Sequence, residues 1–189
     1  MKLILASGSP RRKELLHILG LDFEVIPSLG EETTTEKDPV KLATSLAIEK
    51  AREVAGRVQE GIVLGADTIV TIEGTILGKP KSKEEAVEML SLLNGRKHQV
   101  ITGIALIDAA SKKILADFEV TQVLFRELTG DEILNYVKTG EPLDKAGAYG
   151  IQGMGAVLIE KICGCYFNVV GLPLTKTYLM LREFGITIL

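Results

Sequence analysis

Ser7-Gly8-Ser9-Pro10-Arg11-Arg12-Lys13 joins a small flexible turn, a capping hydroxyl and three successive cations at what reads as the start of a helix. Unpaired backbone N–H groups and the positive end of the helix dipole favour an anion there, and arginine adds planar, permanently charged donors that match phosphate oxygens. Cations in a first turn oppose the dipole, so a bound phosphate would offset the cost of Arg11 and Arg12; the alternative is a capped helix with a solvated basic face. Asp67 follows the apolar run Ile62-Val63-Leu64-Gly65-Ala66, where a lone carboxylate is either a functional acid or an Asx turn or helix cap. Lys79, between Gly78 and Pro80, suits a fixed charge, though an ordinary surface lysine reads the same way. Glu31 and Glu32 offer a second carboxylate, since magnesium on a nucleotide takes one or two carboxylates plus phosphate oxygens; acids in a loop are also common solvated groups.

Gly140 to Gly155 holds five glycines in sixteen residues, a density that disfavours a helix or central strand and marks a ligand loop. Within it Asp144, Lys145, Tyr149 and Gln152 offer polar contacts, but no Walker or Rossmann fingerprint is present. His17 and His98 sit in no nucleophile elbow and no metal-ligand spacing, which argues against a Ser-His-Asp hydrolase. Cys163 and Cys165, one glycine apart, match neither a zinc site nor a redox pair and read as structural.

The elements that must position these residues follow from periodicity and punctuation. A short buried strand over Lys2 to Ala6 leads to a helix with Ser9 as N-cap and Pro10 at its first position, Leu15, Leu16 and Leu19 as its stripe, and Gly20 as its end. A second strand covers Phe23 to Ile26, a polar acidic loop Ser28 to Asp38, and Pro39 opens a helix whose stripe is Leu42, Ala43, Leu46, Ala47 and Val54, with Lys50 near its border and Gly56 as its stop. The run from Ile62 to Ala66 reads as a buried strand delivering Asp67 and Thr68 at its carboxyl side, where open α/β sheets place their chemistry. A hairpin turning on Glu73-Gly74, a helix with the capping box Ser82-x-x-Glu85, and its close at Asn94-Gly95 come next. Strands over Gln99 to Ile107 and Ile114 to Phe125, a helix capped by Thr129-x-x-Glu132 and ended by Gly140, strands over Ala156 to Ile162 and Tyr166 to Val170, and a helix over Pro173 to Phe184 complete the chain. This alternation, with no repeat and no linker, predicts an α/β fold with a mixed sheet flanked by helices in a single domain spanning residues 1–189.

The 189 residues are 46% apolar and 25% charged, with 22 Lys+Arg against 25 Asp+Glu. That composition excludes disulfide scaffolds, collagen-like repeats and disorder, and the near-neutral balance argues against a general nucleic-acid or membrane-surface protein. Phosphate binding would have to be local. No segment reads as a signal peptide or a membrane helix, so the expected compartment is the cytoplasm.

Ser7-Gly8-Ser9-Pro10-Arg11-Arg12, Gly65-Ala66-Asp67-Thr68, Gly78-Lys79-Pro80 and the ten residues Asp144 to Gly153, in this order, closely resemble the Maf family of nucleoside triphosphate pyrophosphatases, also known as septum formation inhibitor proteins. The resemblance runs from the first strand to the final helix. It implies a Maf/ITPase-like twisted mixed sheet and hydrolysis between the α and β phosphates, giving a monophosphate and pyrophosphate with a divalent metal cation, Mg2+ or Mn2+. The Ala-Gly-Ala-Tyr-Gly-Ile-Gln form of the glycine loop resembles the branch that acts on dTTP and UTP. By matched motif, the resemblance implies Asp67 as proton acceptor, Arg11, Thr68 and Gln152 as determinants of base choice, and Ser7, Arg12, Lys50 and Lys79 on the phosphates. It also implies Glu32 at the metal, with Glu31 as a substitute, while Asp67 stays open between proton acceptor and metal ligand, because a carboxylate beside a metal and several lysines can serve as a ligand instead of a base. No nucleic-acid or membrane partner is expected, and a homodimer is the expected assembly. A nucleotide-sensing regulator of cell division with little turnover is the alternative from another class, and a nucleotidyltransferase is a second; intact Asp67 and Lys79 favour hydrolysis over sensing, and no second-substrate motif is evident.

Overall fold

The computed structural model describes residues 2–30 and 33–189. Their elements are β1 (Leu3–Leu5), α1 (Pro10–Ile18), β2 (Phe23–Val25), α2 (Pro39–Ala55), β3 (Ile62–Ile72), β4 (Thr75–Leu77), α3 (Lys83–Leu93), β5 (Lys97–Asp108), β6 (Ile114–Phe125), α4 (Gly130–Lys138), β7 (Ile159–Cys163), α5 (Tyr166–Val170) and α6 (Leu174–Arg182). The described strands form one mixed sheet in the order β2-β1-β3-β5-β6-β7, with β4 paired to β3. β1 lies parallel to both β2 and β3, while β4 and β7 run antiparallel to β3 and β6. The mixed α/β sheet with helices is the fold class that the alternation of patterns predicts.

Two compact units make up the chain. The first comprises residues 1–67, 102–119 and 171–189, and the second residues 68–101 and 120–170. Strands β3, β5 and β6 each begin in one unit and end in the other. The first unit has a core of small side chains: Ala47, Ala51, Val54 and Ala55 of α2 meet Ile4, Val63, Ala105 and Ile107 of the strands. Alanine on both sides lets a helix approach a sheet closely. At Gly65 and Gly103 the approach is closer still, because a Cβ on Gly65 would stand 2.3 Å from the Ala47 carbonyl oxygen and one on Gly103 2.3 Å from that of Ala43. Only glycine fits there, and this seats α2 on β3 and β5.

The second unit packs larger residues. Phe125, Tyr149 and His98 stack edge to face, with ring centroids 4.7 Å apart for Phe125 and Tyr149. The Tyr149 hydroxyl and His98 Nε2 share a hydrogen bond of 2.7 Å. Burial pulls the His98 pKa down to about 4, against a hydrogen bond with the Arg96 backbone that acts the other way, so the ring is neutral at pH 7.

Several sequence expectations give way to the structure. β3 does not stop at Ala66; it continues through Asp67 and Thr68 to Ile72, because its first half pairs with β1 and its last three residues with β4. Asp67 is therefore a mid-strand residue. It nevertheless lies beyond the carboxyl end of β1, whose register with β3 finishes at Leu5 opposite Leu64. Tyr166 to Val170 forms a helix rather than a strand, with buried Asn168 donating to the Val100 carbonyl and to Thr121 Oγ1, 3.0 Å each. Ala156 to Leu158 belongs to a 3-10 segment, and β7 starts only at Ile159.

Caps divide likewise. Thr129 and Glu132 form the full reciprocal box. Ser82 accepts from the Glu85 N–H, but Glu85 turns its carboxylate to the Lys81 N–H instead of closing the box. Ser9 occupies the N-cap of α1 without a side-chain cap bond, and its own N–H donates to Ser7 Oγ at 3.2 Å. The hairpin turns as expected on Glu73 and Gly74, both at positive φ, the signature of a type I′ turn.

Candidate active site

In the first unit, β1 ends at Leu5 and the chain turns through Ser7 into α1. Proline at the first helical position fixes the start of α1, so Arg11 and Arg12 fall in its first turn. The Arg12 guanidinium is anchored rather than solvated: Nε donates to the Gly171 carbonyl at 2.9 Å and Nη1 to Ser7 Oγ at 3.2 Å. Burial lowers its pKa, the Asp67 charge opposes that shift, and neighbouring Arg11 adds to it. Arginine remains charged through such a shift, so Arg12 is a fixed cation whose field reaches Asp67.

Asp67 is ion-paired to Lys50, with Nζ donating to Oδ1, and both side chains are largely shielded from solvent, 15% and 24% exposed. Lys50 lies on α2 between Ala47 and Ala51, the two residues that touch Gly65, and Asp67 stands two residues beyond Gly65 on β3. The glycine contact thus sets the register of the pair. The neighbouring acidic loop is tied to the same helix, with the Leu29 N–H donating to Glu53 and the Thr33 N–H and hydroxyl to Glu49. Glu31 and Glu32 lie outside the described residues.

In the second unit, Lys79 is exposed, next to buried Pro80. Its neighbour Gly78 accepts a 3.0 Å hydrogen bond from the Gly147 N–H, which ties the Lys79 segment to the glycine loop. Gly147 has φ +68, and a Cβ there would stand 2.8 Å from Val70 Cγ1. Thr68 is half-buried on β3, and Gln152 is exposed in extended backbone just before Gly153.

Within the first unit the structure brings Ser7, Arg12, Lys50 and Asp67 together, with Arg11 adjacent; within the second it joins the Lys79 segment to the loop that carries Gln152. Tyr149 is a correction. It is a buried core residue committed to His98 rather than a ligand contact, because the turn at Gly147 and Ala148, both at positive φ, directs the chain into the core. Lys145 is also spent inside the loop, donating to the Glu141 carbonyl and to Asp144 at 2.6 and 2.7 Å.

Two residues escape the motif search. Gly103 carries a signal, since a glycine in an apolar strand marks close backbone approach, as Gly65 of a matched motif does. Glu141 carried no such signal: its carboxylate accepts from Tyr136 Oη and from the Met154 and Gly155 N–H groups across the loop.

The first unit thus sets two cations, Lys50 and Arg12, by one shielded carboxylate on a mixed α/β sheet. The fold of the chain is that of the Staphylococcus aureus Ham1 protein, with a TM-score of 0.51 at 17% identity, covering 84% of this chain and 80% of that one. Residues 2–184 match the family described as Maf-like protein, and the chain belongs to that family. It is 53% identical over 191 residues to a protein of Thermoanaerobacter sp. (strain X514) named dTTP/UTP pyrophosphatase, covering 100% of both. Proteins of the same name from Carboxydothermus hydrogenoformans and Bacillus anthracis are 50% and 52% identical, covering 98% and 99% of this chain and 100% and 97% of their own lengths.

Proposed function

We propose that this chain is a nucleoside triphosphate pyrophosphatase that converts dTTP and UTP to the monophosphate and pyrophosphate. The observation that carries the chemistry is the shielded Asp67–Lys50 pair within the field of Arg12. The names of relatives about half identical over essentially the full chain support the substrate class.

A triphosphate repels an incoming hydroxide, so the site must supply cations and a proton acceptor. Arg12, Lys50 and Lys79 are assigned to phosphate oxygens, with Ser7 Oγ orienting Arg12 and offering a hydroxyl. Asp67 takes the proton as the oxygen of water bonds to the α phosphorus. The bond from that phosphorus to the bridging oxygen breaks, and pyrophosphate leaves with the electron pair. Lys50, pairing with Asp67 before substrate arrives, keeps the carboxylate oriented.

A divalent cation fits this donor set. Among the described residues no three of His, Cys, Asp and Glu gather, and Mg2+ on a nucleotide commonly takes one or two carboxylates plus substrate phosphates. Asp67, with Glu32 beyond the described residues, would hold it. When bound, the cation supplies charge neutralisation on the phosphates and a more acidic water.

Base choice is assigned to Arg11, Thr68 and Gln152. The Gln152 amide presents one acceptor and one donor, complementary to the N3–H and O4 of uracil or thymine. Gln152→Glu loses the donor, and we expect dTTP and UTP turnover to fall on the order of ten- to a hundredfold relative to purine triphosphates. Steady-state kinetics on a panel of nucleoside triphosphates checks this; an equal loss on every base would move Gln152 from selectivity to catalysis or folding.

Residues 1–189 are proposed to fold as one domain, since both compact units are built from interleaved segments and share three strands. A single calorimetric transition is expected, and two separable ones would refute it. Among the described residues no helix is long and apolar enough to cross a membrane, and the cytoplasm is the proposed compartment.

A further inference from the structure

Three short 3-10 segments make the glycine loop, over Glu141–Asp144, Ala146–Ala148 and Gly153–Leu158. Segments of this kind leave many backbone groups unpaired, and glycine adds conformational freedom. One side chain gathers the loop. Glu141 Oε1 accepts from the Gly155 N–H at 3.1 Å and from the Tyr136 hydroxyl at 2.9 Å, while Oε2 accepts from the Met154 N–H at 3.0 Å. Tyr136 Oη accepts in turn from the Gly150 N–H at 3.3 Å. The amides fixed on either side of Gln152 are therefore those of residues 150, 154 and 155, all through one carboxylate and one phenol.

The packing leaves no slack around these bonds. A Cβ on Gly153 would stand 2.8 Å from Glu141 Oε2, and one on Gly155 2.6 Å from Tyr136 Oη. Burial would raise the Glu141 pKa, but the amide and phenol hydrogen bonds, with the charge of Lys145, outweigh it and hold the group below the usual range. Glu141 is thus ionised at neutral pH, and it accepts three hydrogen bonds that only a carboxylate can accept together. Tyr136 is itself held on α4, buried, with burial and the Glu141 bond pushing its hydroxyl pKa up, so it stays a donor.

We propose that Glu141, with Tyr136 behind it, is a positioning residue for base choice: it fixes the backbone that flanks Gln152 and so sets where the amide meets the pyrimidine edge. This rests on the reading of Gln152 as the base-selecting residue. Uracil and cytosine differ by a reversed donor and acceptor, and an amide on a mobile backbone serves both. Fixing the backbone removes that tolerance.

The test is the ratio of kcat/KM for UTP to that for CTP, measured with KM and kcat separately for wild type, Glu141→Gln, Tyr136→Phe and Gln152→Ala. In Glu141→Gln an NH2 faces one backbone N–H, so at least one clamp bond is lost while size is kept. We expect the UTP:CTP ratio to fall about tenfold or more in Glu141→Gln, chiefly through a raised KM for UTP, and by less in Tyr136→Phe. Thermal melting, and kcat on UTP near the wild-type value, distinguish this from general damage. If Gln152→Ala collapses the ratio while both clamp variants keep it, the positioning role is overturned and the Gln152 reading stands. If Gln152→Ala leaves the ratio unchanged, the reading itself fails and the inference with it. Clamp variants that lose turnover equally on UTP and CTP, with KM unchanged, also overturn the proposal.

Discussion

Asp67→Asn should leave the protein folded and reduce dTTP and UTP turnover by at least a hundredfold, toward the limit of detection. The substitution keeps the shape of the side chain and an oxygen that accepts from Lys50, so the β3–α2 contact survives. It removes the negative charge proposed to take a proton from water or to bind a cation, and loss of a positioned general base is worth about 10²–10⁴ in rate. Circular dichroism and thermal melting report the fold, and single-turnover rates report the chemistry. A folded variant with most of its kcat would remove Asp67 from the centre of the account. Dependence on added Mg2+ separates its two roles: a general base lowers kcat at saturating metal, whereas a metal ligand shifts the metal concentration needed.

Gly65→Ala should be the most disruptive single-methyl change in the first unit. The added carbon would lie 2.3 Å from the Ala47 carbonyl oxygen, 2.8 Å from the Ala51 nitrogen and 2.9 Å from the Ala51 Cβ, two of them backbone atoms of a helix that cannot swing aside. Overpacking of this kind costs about 1–3 kcal/mol even where side chains can yield, and backbone contact places this site at or above the upper end. Since Lys50 lies between Ala47 and Ala51, any lift of α2 also separates Lys50 from Asp67. A lowered melting temperature together with lost turnover is expected, and Gly103→Ala, which meets the Ala43 and Thr44 backbone, should behave alike. Native stability and activity in Gly65→Ala would show that α2 is not seated as described.

The sequence carried the helix starts well because Pro10, Pro39 and the Thr129–Glu132 box act locally, within one turn of chain. It misplaced β3 because strand length depends on partners: β1 and β4 pair with different halves of one run, and neither contact leaves a local mark around Asp67. Tyr166 to Val170 is an apolar run too short for periodicity to separate helix from strand, and the deciding hydrogen bonds of Asn168 reach back to residues 100 and 121. Of the candidate site, Arg12 and Asp67 stand in matched motifs, and the structure puts Arg12 within the field of Asp67. Glu141 has no such mark, because two of its three partners are backbone amides, which have no signature in side-chain sequence; Tyr149 was misread for the converse reason, a polar hydroxyl whose partner His98 is fifty-one residues away.

The most direct test of the central claim is the identity of the phosphorus product. Purified protein with Mg2+ and either dTTP or UTP should release one pyrophosphate per monophosphate formed, with no orthophosphate. Orthophosphate and a diphosphate would mean attack at the terminal phosphate and a different site geometry, and bound nucleotide with no product at all would make the protein a sensor rather than an enzyme.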